Sequence, residues 1–225
     1  PEERHSLTAD VNKWLDMIRI NGKTNPLQKE LTDTIEKFKI PLWPLEAFAK
    51  SMLYDISHDG FATLDDFLEY SMGASVAPAS IFVHLNSLLK KDGKYQVPPF
   101  DVREAAAPCA IFSYFVHIIR DFQKDQLNNL NYFADDLILE NNLTRERLRT
   151  IANGEKPGTE FRNLVKVYYK LADQYRQKTY EKIRKISPLL EPRYQLSLEI
   201  IFNLYLMVFE RIDIATGSFA TSELN

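Results

Sequence analysis

The sequence predicts an all-α protein. Only 7 of the 225 residues are glycine, and apolar residues recur at three- and four-residue intervals over long stretches, as on one face of an α-helix. Hydrophobic residues make up 45% of the chain, which is enough for a sizeable core. No linker, fixed-period repeat or low-complexity tract divides residues 1–225, so we expect one helical domain.

Capping residues and prolines bound four helices in the N-terminal half. Thr63 stands three residues before Asp66, the spacing of a capping box, and so begins the fourth helix. Pro78 is expected to kink or interrupt that helix. The expected segments are a first helix from Val11 that ends near Asn21-Gly22, a second capped by Asn25-Pro26 with Leu27, Leu31, Ile35 and Phe38 inside, a third over residues 45–57, the fourth over 64–70, and a polar loop over 90–94.

The C-terminal half predicts longer helices. The apolar run of residues 111–119 belongs to a helix that is expected to continue from about residue 101 to residue 125. The segments expected after it are a polar connection over 126–131, a short helix over 144–148 begun by Thr144, a loop over 154–158, and two long helices over 161–186 and 194–212.

Composition narrows the function classes. The net charge of -3 gives no electrostatic footprint for nucleic acid. The single cysteine, Cys109, excludes an internal disulfide and is expected to be a small buried hydrophobe. No run of about 20 apolar residues predicts a membrane span, and no signal peptide opens the sequence. We therefore expect a cytoplasmic protein, with peripheral contact to a membrane surface left open.

The most informative stretch is Arg120-Asp121-Phe122-Gln123-Lys124-Asp125, which ends the apolar run. Two carboxylates four residues apart on a helix lie on the same face. Such a pair at a buried helix end is costly unless a cation lies between the two acids. Mg²⁺, bound through a few oxygens and by substrate phosphates, is the usual occupant. The pattern predicts that Asp121 and Asp125 bind Mg²⁺ against a diphosphate; the alternative is a solvated acidic pair beside Lys124.

Five further segments accompany the acidic stretch: Pro1-Glu2-Glu3-Arg4, Met52-Leu53-Tyr54-Asp55, Thr63-Leu64-Asp65-Asp66-Phe67, Tyr132-Phe133 and Asp135-Asp136-Leu137. Together with Ile118-Ile119-Arg120-Asp121-x-x-x-Asp125, they resemble the squalene/phytoene synthase family. The first segment is similar to the family segment just after its first aspartate motif. The other four correspond to the family's Met-Asp-Leu step, its Thr-Phe-Asp-Glu-Leu helix start, and its Tyr-Leu-Pro and Asp-Glu-Leu continuation. The acidic stretch corresponds to the family's second aspartate-rich motif, of the Asn-Ile-Leu-Arg-Asp type.

The resemblance implies an isoprenoid (terpenoid) synthase-like helical bundle around a central cavity. Members of the family are prenyltransferases that join two prenyl diphosphates head to head, with Mg²⁺ as cofactor, to give squalene- or phytoene-type products in isoprenoid biosynthesis. Squalene formation also uses NADPH, and no Gly-rich dinucleotide fingerprint indicates it here. The implied partners are a prenyl diphosphate substrate and a membrane surface that takes up the apolar product, without nucleic acid.

The resemblance also implies roles for seven residues. Asp121 and Asp125 are the implied catalytic and metal-binding acids. Tyr70 matches a cavity-facing tyrosine and is the third catalytic candidate, with core packing as its alternative. The implied substrate-binding residues are Arg120, His117, Asp55 and Tyr114. The alternative for Arg120 is a salt bridge, and the alternative for His117, which stands where the family has Asn, is a structural histidine. Asp55 matches the Met-Asp-Leu aspartate and lies four residues before Asp59, and Tyr114 stands where the family has Gln.

Some family groups are missing from the matching positions. Gly60-Phe61 replaces Arg-Tyr, residues 127–130 replace a basic run, and Phe202 replaces a cavity tyrosine. The first aspartate motif belongs before Pro1, so we expect either an N-terminally incomplete chain or a protein that lacks half of the metal site. The functions left open are an active prenyltransferase, a catalytically degenerate member that serves as a binding or assembly factor, and an unrelated helical binding module.

Overall fold

A computed structural model describes residues 2–19 and 26–224. This part of the chain is helical apart from one antiparallel hairpin, in which Leu89 pairs with Gln96. The predicted all-α fold is therefore confirmed. The elements are α1 Glu2–Arg19, α2 Pro26–Phe38, α3 Trp43–Ser57, α4 Leu64–Ser71, a π-helix Met72–Val76, α5 Ala77–Asn86, β1 Leu89–Lys91, β2 Lys94–Gln96, α6 Val102–Arg120, α7 Phe122–Leu127, α8 Asp135–Glu140, α9 Arg145–Ala152, α10 Thr159–Ile186, a 3₁₀-helix Ser187–Leu189, α11 Pro192–Phe209 and α12 Thr221–Leu224.

Two compact units, interleaved in sequence, make up the chain. The first takes the described residues of Pro1–His58, Tyr70–Ala107 and Lys182–Leu198. The second takes Asp59–Glu69, Pro108–Glu181 and the described residues of Glu199–Asn225. The single domain over residues 1–225 stays a prediction.

The described residues of the first unit include two buried apolar clusters. One forms around Ala49 of α3, where Val11 and Leu15 of α1 pack. The apolar spacing of α1 therefore points inward as predicted. The second cluster consists of Val83, Val102, Ala105, Ala106, Ile186, Leu190 and Leu198.

The fourth helix begins as predicted and then changes its winding. The Thr63 amide donates to Asp66 Oδ2 at 2.9 Å, and the Asp66 amide donates to Thr63 Oγ1 at 3.1 Å, which confirms the capping box. The π-helix follows directly after α4, and Pro78 lies in the first turn of α5. Gly73 lets the π-helix approach α3, because a Cβ there would collide with Ala47 O and Ser51 Oγ. A π-turn often accompanies a functional site, and this one begins two residues after Tyr70.

Aromatic side chains build the core of the second unit. Tyr168 of α10 packs its ring 4.8 Å from Phe133 and 5.8 Å from Phe115, measured between ring centroids. The Tyr168 hydroxyl accepts a hydrogen bond from the Ala134 amide at 2.8 Å. Burial raises the pKa of Tyr168, so this hydroxyl stays neutral. The core thus ties α6, α10 and the start of α8 together.

The prediction of one helix over residues 101–125 is wrong in one respect, because the segment forms two helices. Asp121 lies between α6 and α7 with φ -91° and ψ 2°. Aspartate is a poor helix former that favours such junctions. Hydrogen bonds continue on both sides, since the Asp121 amide donates to His117 O and the Asp125 amide donates to Asp121 O, both at 2.8 Å. The acidic pair therefore spans a helix junction.

Tertiary packing overrides the local pattern at two polar segments. Residues 90–94, predicted as a loop, form most of the β1–β2 hairpin, because Tyr95 packs on Phe38 with ring centroids 4.9 Å apart. Residues 126–131, predicted as a polar connection, contain buried Gln126 and Asn131, and α7 runs into the segment. Residues 90–94 are exposed but form a hairpin, and residues 126–131 are buried at Gln126 and Asn131.

Smaller errors have local causes. Leu27, predicted to face inward, is 76% exposed, while Gln28 is buried and donates to Met17 O at 3.0 Å. The helices α8 and α12 were missed because four to six residues are too few to show periodicity. The predicted end of α1 near Asn21-Gly22 and the cap at Asn25 lie outside the described residues.

Helix α6 bears on the membrane prediction. Although no span was predicted, Val102–Arg120 has the length and hydropathy to cross a membrane by composition alone, and 61% of its most apolar window is buried inside the protein. Such burial is typical of a core helix. Cys109 lies on this helix, and burial raises the pKa of its thiol to about 12, so the thiol stays protonated at neutral pH.

Candidate functional site

Five of the seven predicted site residues belong to the second unit and gather around the α6–α7 junction. Tyr114, His117 and Asp121 lie three and four residues apart, so they share one face at the end of α6. Arg120 and Asp125 interact electrostatically with Asp121. The sequence analysis placed all five residues on one continuous helix, and their roles stay predictions.

Arg120 and Asp121 form a bidentate ion pair. Arg120 Nε donates to Asp121 Oδ1 at 2.8 Å, and Nη2 donates to Oδ2 at 2.6 Å. The two side chains are only 23% and 21% exposed. Burial by itself raises the pKa of Asp121, but the hydrogen bonds and charge of Arg120 outweigh it and hold that pKa below its usual value. Three guanidinium N–H groups remain for another oxygen ligand.

Asp125 is in the opposite electrostatic position. In the described part of the chain, no hydrogen bond or salt bridge reaches its carboxylate. Burial, reinforced by the charge of Asp121, raises the pKa of Asp125 from 3.8 to about 6. The ionised carboxylate is thus unfavourable as it stands, and a cation placed beside it would stabilise it.

His117 is held uncharged beside the ion pair. Burial, with help from the charge of Arg120, lowers its pKa to about 4. Its ring lies 5.1 Å from the ring of Tyr205 on α11, between centroids. Burial also raises the pKa of Tyr205. A neutral imidazole and a neutral phenol therefore border the charged cluster.

Tyr205 was missed in the sequence. The resemblance expects a tyrosine at Phe202, and Phe202 is instead buried, with its ring 5.6 Å from Phe112 and 4.7 Å from Tyr180. Tyr205 stands three residues later, which is close to one helical turn. A search for a phenol within one turn of Phe202 would have found it.

Tyr114 belongs to an aromatic group in the second unit. Its ring centroid lies 5.1 Å from that of Phe67 and 6.1 Å from that of Tyr132. Phe61 packs against Phe67 at 5.3 Å. These rings present polarisable faces and edges of the kind that stabilise a nearby positive charge.

The other two predicted residues, Tyr70 and Asp55, meet within the first unit. The Tyr70 hydroxyl donates to Asp55 Oδ2 at 3.0 Å. Tyr70 is 8% exposed, and its ring lies 5.4 Å from that of Tyr54. Partial burial raises the pKa of Asp55 even though the Tyr70 hydrogen bond opposes that shift.

Arg145 is a second residue that the sequence analysis missed. It donates from Nε and Nη2 to the Asp135 carboxylate at 2.7 and 2.6 Å, and from Nη1 to Asp59 O at 3.1 Å. Gly60 has φ +151°, and a Cβ there would lie 2.7 Å from Arg145 Nη2. A guanidinium therefore lies beside the position where the resemblance expects arginine. No local signal reveals this, because Arg145 and Asp59 are 86 residues apart.

The acidic pair fits one kind of metal site. Among the described residues, no group of three or more His, Cys, Asp or Glu side chains is placed to hold a metal ion. Asp121 and Asp125 thus offer two carboxylates alone. Mg²⁺ commonly binds through one or two carboxylates while water and substrate phosphates complete its coordination. The residues suit Mg²⁺ held together with a phosphate ligand.

The helical fold and the acidic pair agree with the isoprenoid-synthase-like protein that the resemblance implies. A family profile described as squalene/phytoene synthase matches residues 2–222, and the chain belongs to that family. The sequence prediction of the family is confirmed. No curated protein matches the chain.

Two solved structures are similar in fold. Squalene synthase HpnC from Alicyclobacillus acidocaldarius superposes with a TM-score of 0.67 at 13% sequence identity, over 90% of this chain and 74% of that one. A dehydrosqualene synthase in complex with ligand gives a TM-score of 0.69 at 15% identity, over 98% of this chain and 75% of that one. At these identities the likeness establishes the terpenoid synthase-like fold.

Proposed function

We propose that this protein is a Mg²⁺-dependent prenyltransferase that condenses two prenyl diphosphates head to head in isoprenoid biosynthesis. The observation that carries the proposal is the Asp121–Asp125 pair. The pKa of Asp125 is raised to about 6 by burial and by the charge of Asp121. Two carboxylates so placed favour a divalent cation between them, and a diphosphate completes the coordination that they leave open.

Each residue of the cluster has a role in binding the diphosphate. Mg²⁺, when bound, supplies the positive charge that stabilises the leaving diphosphate. Arg120 fixes the Asp121 carboxylate through two hydrogen bonds and directs its other N–H groups to phosphate oxygens. His117 is neutral at physiological pH because its pKa is about 4, so it offers one donor and one acceptor nitrogen.

The aromatic side chains serve the carbocation that ionisation leaves behind. The rings of Phe67, Tyr114 and Tyr132 form one contact group, and ring faces attract positive charge while they exclude water. Tyr70 directs its proton to Asp55 at 3.0 Å. We assign Tyr70 to catalysis and Tyr114 and Asp55 to substrate binding.

The same proposal covers the setting of the reaction. The product is an apolar hydrocarbon, so a cytoplasmic protein that touches a membrane surface would release it most readily. We propose no nucleic-acid partner, in keeping with the net charge of -3. Reduction of the product by NADPH is left to experiment.

Product analysis tests the proposal. Purified protein is incubated with Mg²⁺ and farnesyl or geranylgeranyl diphosphate, and hydrocarbon products are identified by mass spectrometry. Asp121→Asn and Asp125→Asn should each lower turnover by at least about 100-fold, because a developing charge loses its stabilisation. Asp173→Asn is the matched control, since Asp173 pairs with Arg176 at 2.6 Å on α10. Absence of product from the wild type, or equal losses in all three variants, would refute the proposal.

A second candidate is a catalytically degenerate member that acts as a binding or assembly factor. The observation that favours it is the commitment of both Asp121 oxygens to Arg120. A metal must share that carboxylate with a guanidinium. Calorimetry with a non-hydrolysable prenyl diphosphate analogue separates the two candidates. Mg²⁺-dependent binding supports the enzyme, and lack of binding together with lack of product supports the degenerate member.

A further inference from the structure

A polar cavity of about 310 Å³ lies within the second unit, and none of the seven predicted site residues lines it. This volume is near the lower end of the range for small-molecule sites, about 300–1,000 Å³. Two guanidinium groups, three side-chain amides and one carboxylate supply its polar lining, so it suits a small polar ligand and not a prenyl chain. These groups belong to Arg145, Arg149, Gln126, Asn129, Asn131 and Asp59.

The buried wall of the cavity is built around Gln126, which is only 5% exposed. Its Nε2 donates to Asn131 Oδ1 at 3.0 Å and to Leu130 O at 3.3 Å, and these bonds fix the amide. Within the described residues, Gln126 Oε1 has no hydrogen-bond partner. This amide oxygen can accept a hydrogen bond, so the ligand that suits this wall carries a proton to donate.

The cationic side of the cavity comes from α9. Arg145 and Arg149 are four residues apart and share a face, and like charges in that arrangement repel each other. Arg147 lies off that face and donates from Nη1 to Glu155 at 2.6 Å. In the described part of the chain, Arg149 makes no salt bridge or side-chain hydrogen bond. Its planar fork is therefore available to an oxyanion.

The charges that line the cavity are two guanidinium groups and the Asp59 carboxylate. The Asp135 carboxylate pairs with Arg145 from outside the lining, so among the described residues Arg149 is the guanidinium that brings an unpaired positive charge. Arg145 is oriented by Asp135 at 2.6 Å and keeps unused N–H groups. We propose that this cavity binds a small phosphate-type oxyanion, with its charged oxygens toward Arg149 and Arg145 and its protonated oxygen toward Gln126 Oε1. The inference goes beyond the proposed function and does not require it, although diphosphate released by that reaction would be one source of the anion.

Calorimetry on the full chain tests the site. Inorganic phosphate and inorganic diphosphate are titrated separately in a chloride buffer that contains EDTA, so that no metal joins Asp121 and Asp125. We expect binding to the wild type. Arg149→Gln should weaken it by at least about fivefold through loss of charged hydrogen bonds. Asp59→Asn should tighten it by about threefold, since a repelling charge is removed. Arg147→Gln, on the same helix, is the matched control and should leave the affinity unchanged.

Three results would overturn the inference: no binding of either anion, equal weakening by Arg149→Gln and Arg147→Gln, or an affinity that Asp59→Asn leaves unchanged or lowers. Tighter binding of diphosphate than of phosphate supports the reaction product as the source, and equal binding supports free phosphate. Asp125→Asn should bind either anion like the wild type in EDTA. A wild-type protein that forms no prenyl product but still binds the anions therefore refutes the proposed function alone.

Discussion

Two aspartate pairs with the same four-residue spacing, Asp55/Asp59 and Asp121/Asp125, have different surroundings. Asp55 lies in α3 and accepts a hydrogen bond from the neutral Tyr70 hydroxyl, while Asp59 lies beyond the helix end. Asp121 binds a guanidinium, and the negative charge of Asp121 raises the pKa of Asp125. The spacing is therefore no guide to the chemistry, whereas the charge of the neighbouring group is. The pair in which a guanidinium binds one of the carboxylates through two hydrogen bonds is the one we assign to the metal.

Removal of that guanidinium has the largest expected effect on stability. Arg120→Ala leaves Asp121, whose side chain is 21% exposed, without two charge-assisted hydrogen bonds. We expect the free energy of unfolding at pH 7 to fall by about 2 kcal/mol. The pKa of Asp121 should rise, because the interaction that lowers it is lost. Urea denaturation measures the first effect, and NMR titration of the carboxyl measures the second.

Arg193→Ala is the control for this variant. Arg193 pairs with Glu191 at 2.9 Å, but the two side chains are 70% and 55% exposed. Such a surface pair should contribute less than about 0.5 kcal/mol. Similar small losses in both variants would show that Arg120 is an ordinary surface arginine, and the contrast between the two aspartate pairs would then have no energetic basis.

The next largest effect concerns Asp125, whose ionised carboxylate lowers the free energy of unfolding. Its pKa is about 6 in the folded protein and 3.8 ordinarily, so the folded state binds more protons between these pH values. The free energy of unfolding therefore falls as the pH rises from about 4 to about 6 and then levels off. A shift of about two pKa units corresponds to about 3 kcal/mol, which screening at a partly exposed carboxyl reduces to about 1 kcal/mol.

Asp125→Asn should recover that loss and be about 1 kcal/mol more stable than the wild type at pH 7.5. The difference between the two proteins should disappear below pH 4, where the wild-type carboxyl is protonated. Added Mg²⁺ should stabilise the wild type and leave the variant unchanged. A variant that is less stable than the wild type at pH 7.5 would contradict the strained carboxylate on which the metal proposal depends.

The sequence predicted the fold class and the family because those depend on local patterns. Helical periodicity marks α3, α10 and α11, and the capping box marks the start of α4. The Asp121–Asp125 spacing survives the helix break, since the backbone bonds from His117 to Asp125 continue across it. What the pattern could not show was the break itself, which depends on one residue's dihedral angles.

The contacts that the sequence could not predict join distant residues. Arg145 reaches Asp59 across 86 residues, and Tyr205 meets His117 from another helix. Gln126 and Asn131 were expected in a solvated connection, yet a hydrogen-bond network allows both to be buried. Polar side chains can be buried when they form hydrogen bonds with one another in the folded protein. Composition alone predicts a solvated loop for the same residues.

The smallest expected effect concerns the hydrogen bond between Tyr70 and Asp55. Tyr70→Phe removes the hydroxyl that donates to Asp55 at 3.0 Å, and a neutral donor of this kind contributes about 0.5–1 kcal/mol. The pKa of Asp55 should rise further, because the hydrogen bond that opposes the effect of burial is lost. NMR titration of the Asp55 carboxyl measures this shift.

Tyr95→Phe is the control, since Tyr95 packs against Phe38 and its substitution should leave the Asp55 pKa unchanged. A fall in that pKa would contradict the donation from Tyr70 to the carboxylate, and a loss above about 2 kcal/mol would make this bond as strong as the Arg120–Asp121 ion pair. The two aspartate pairs would then be alike in kind, and the charge of the neighbour could no longer explain why only Asp121 and Asp125 suit a metal.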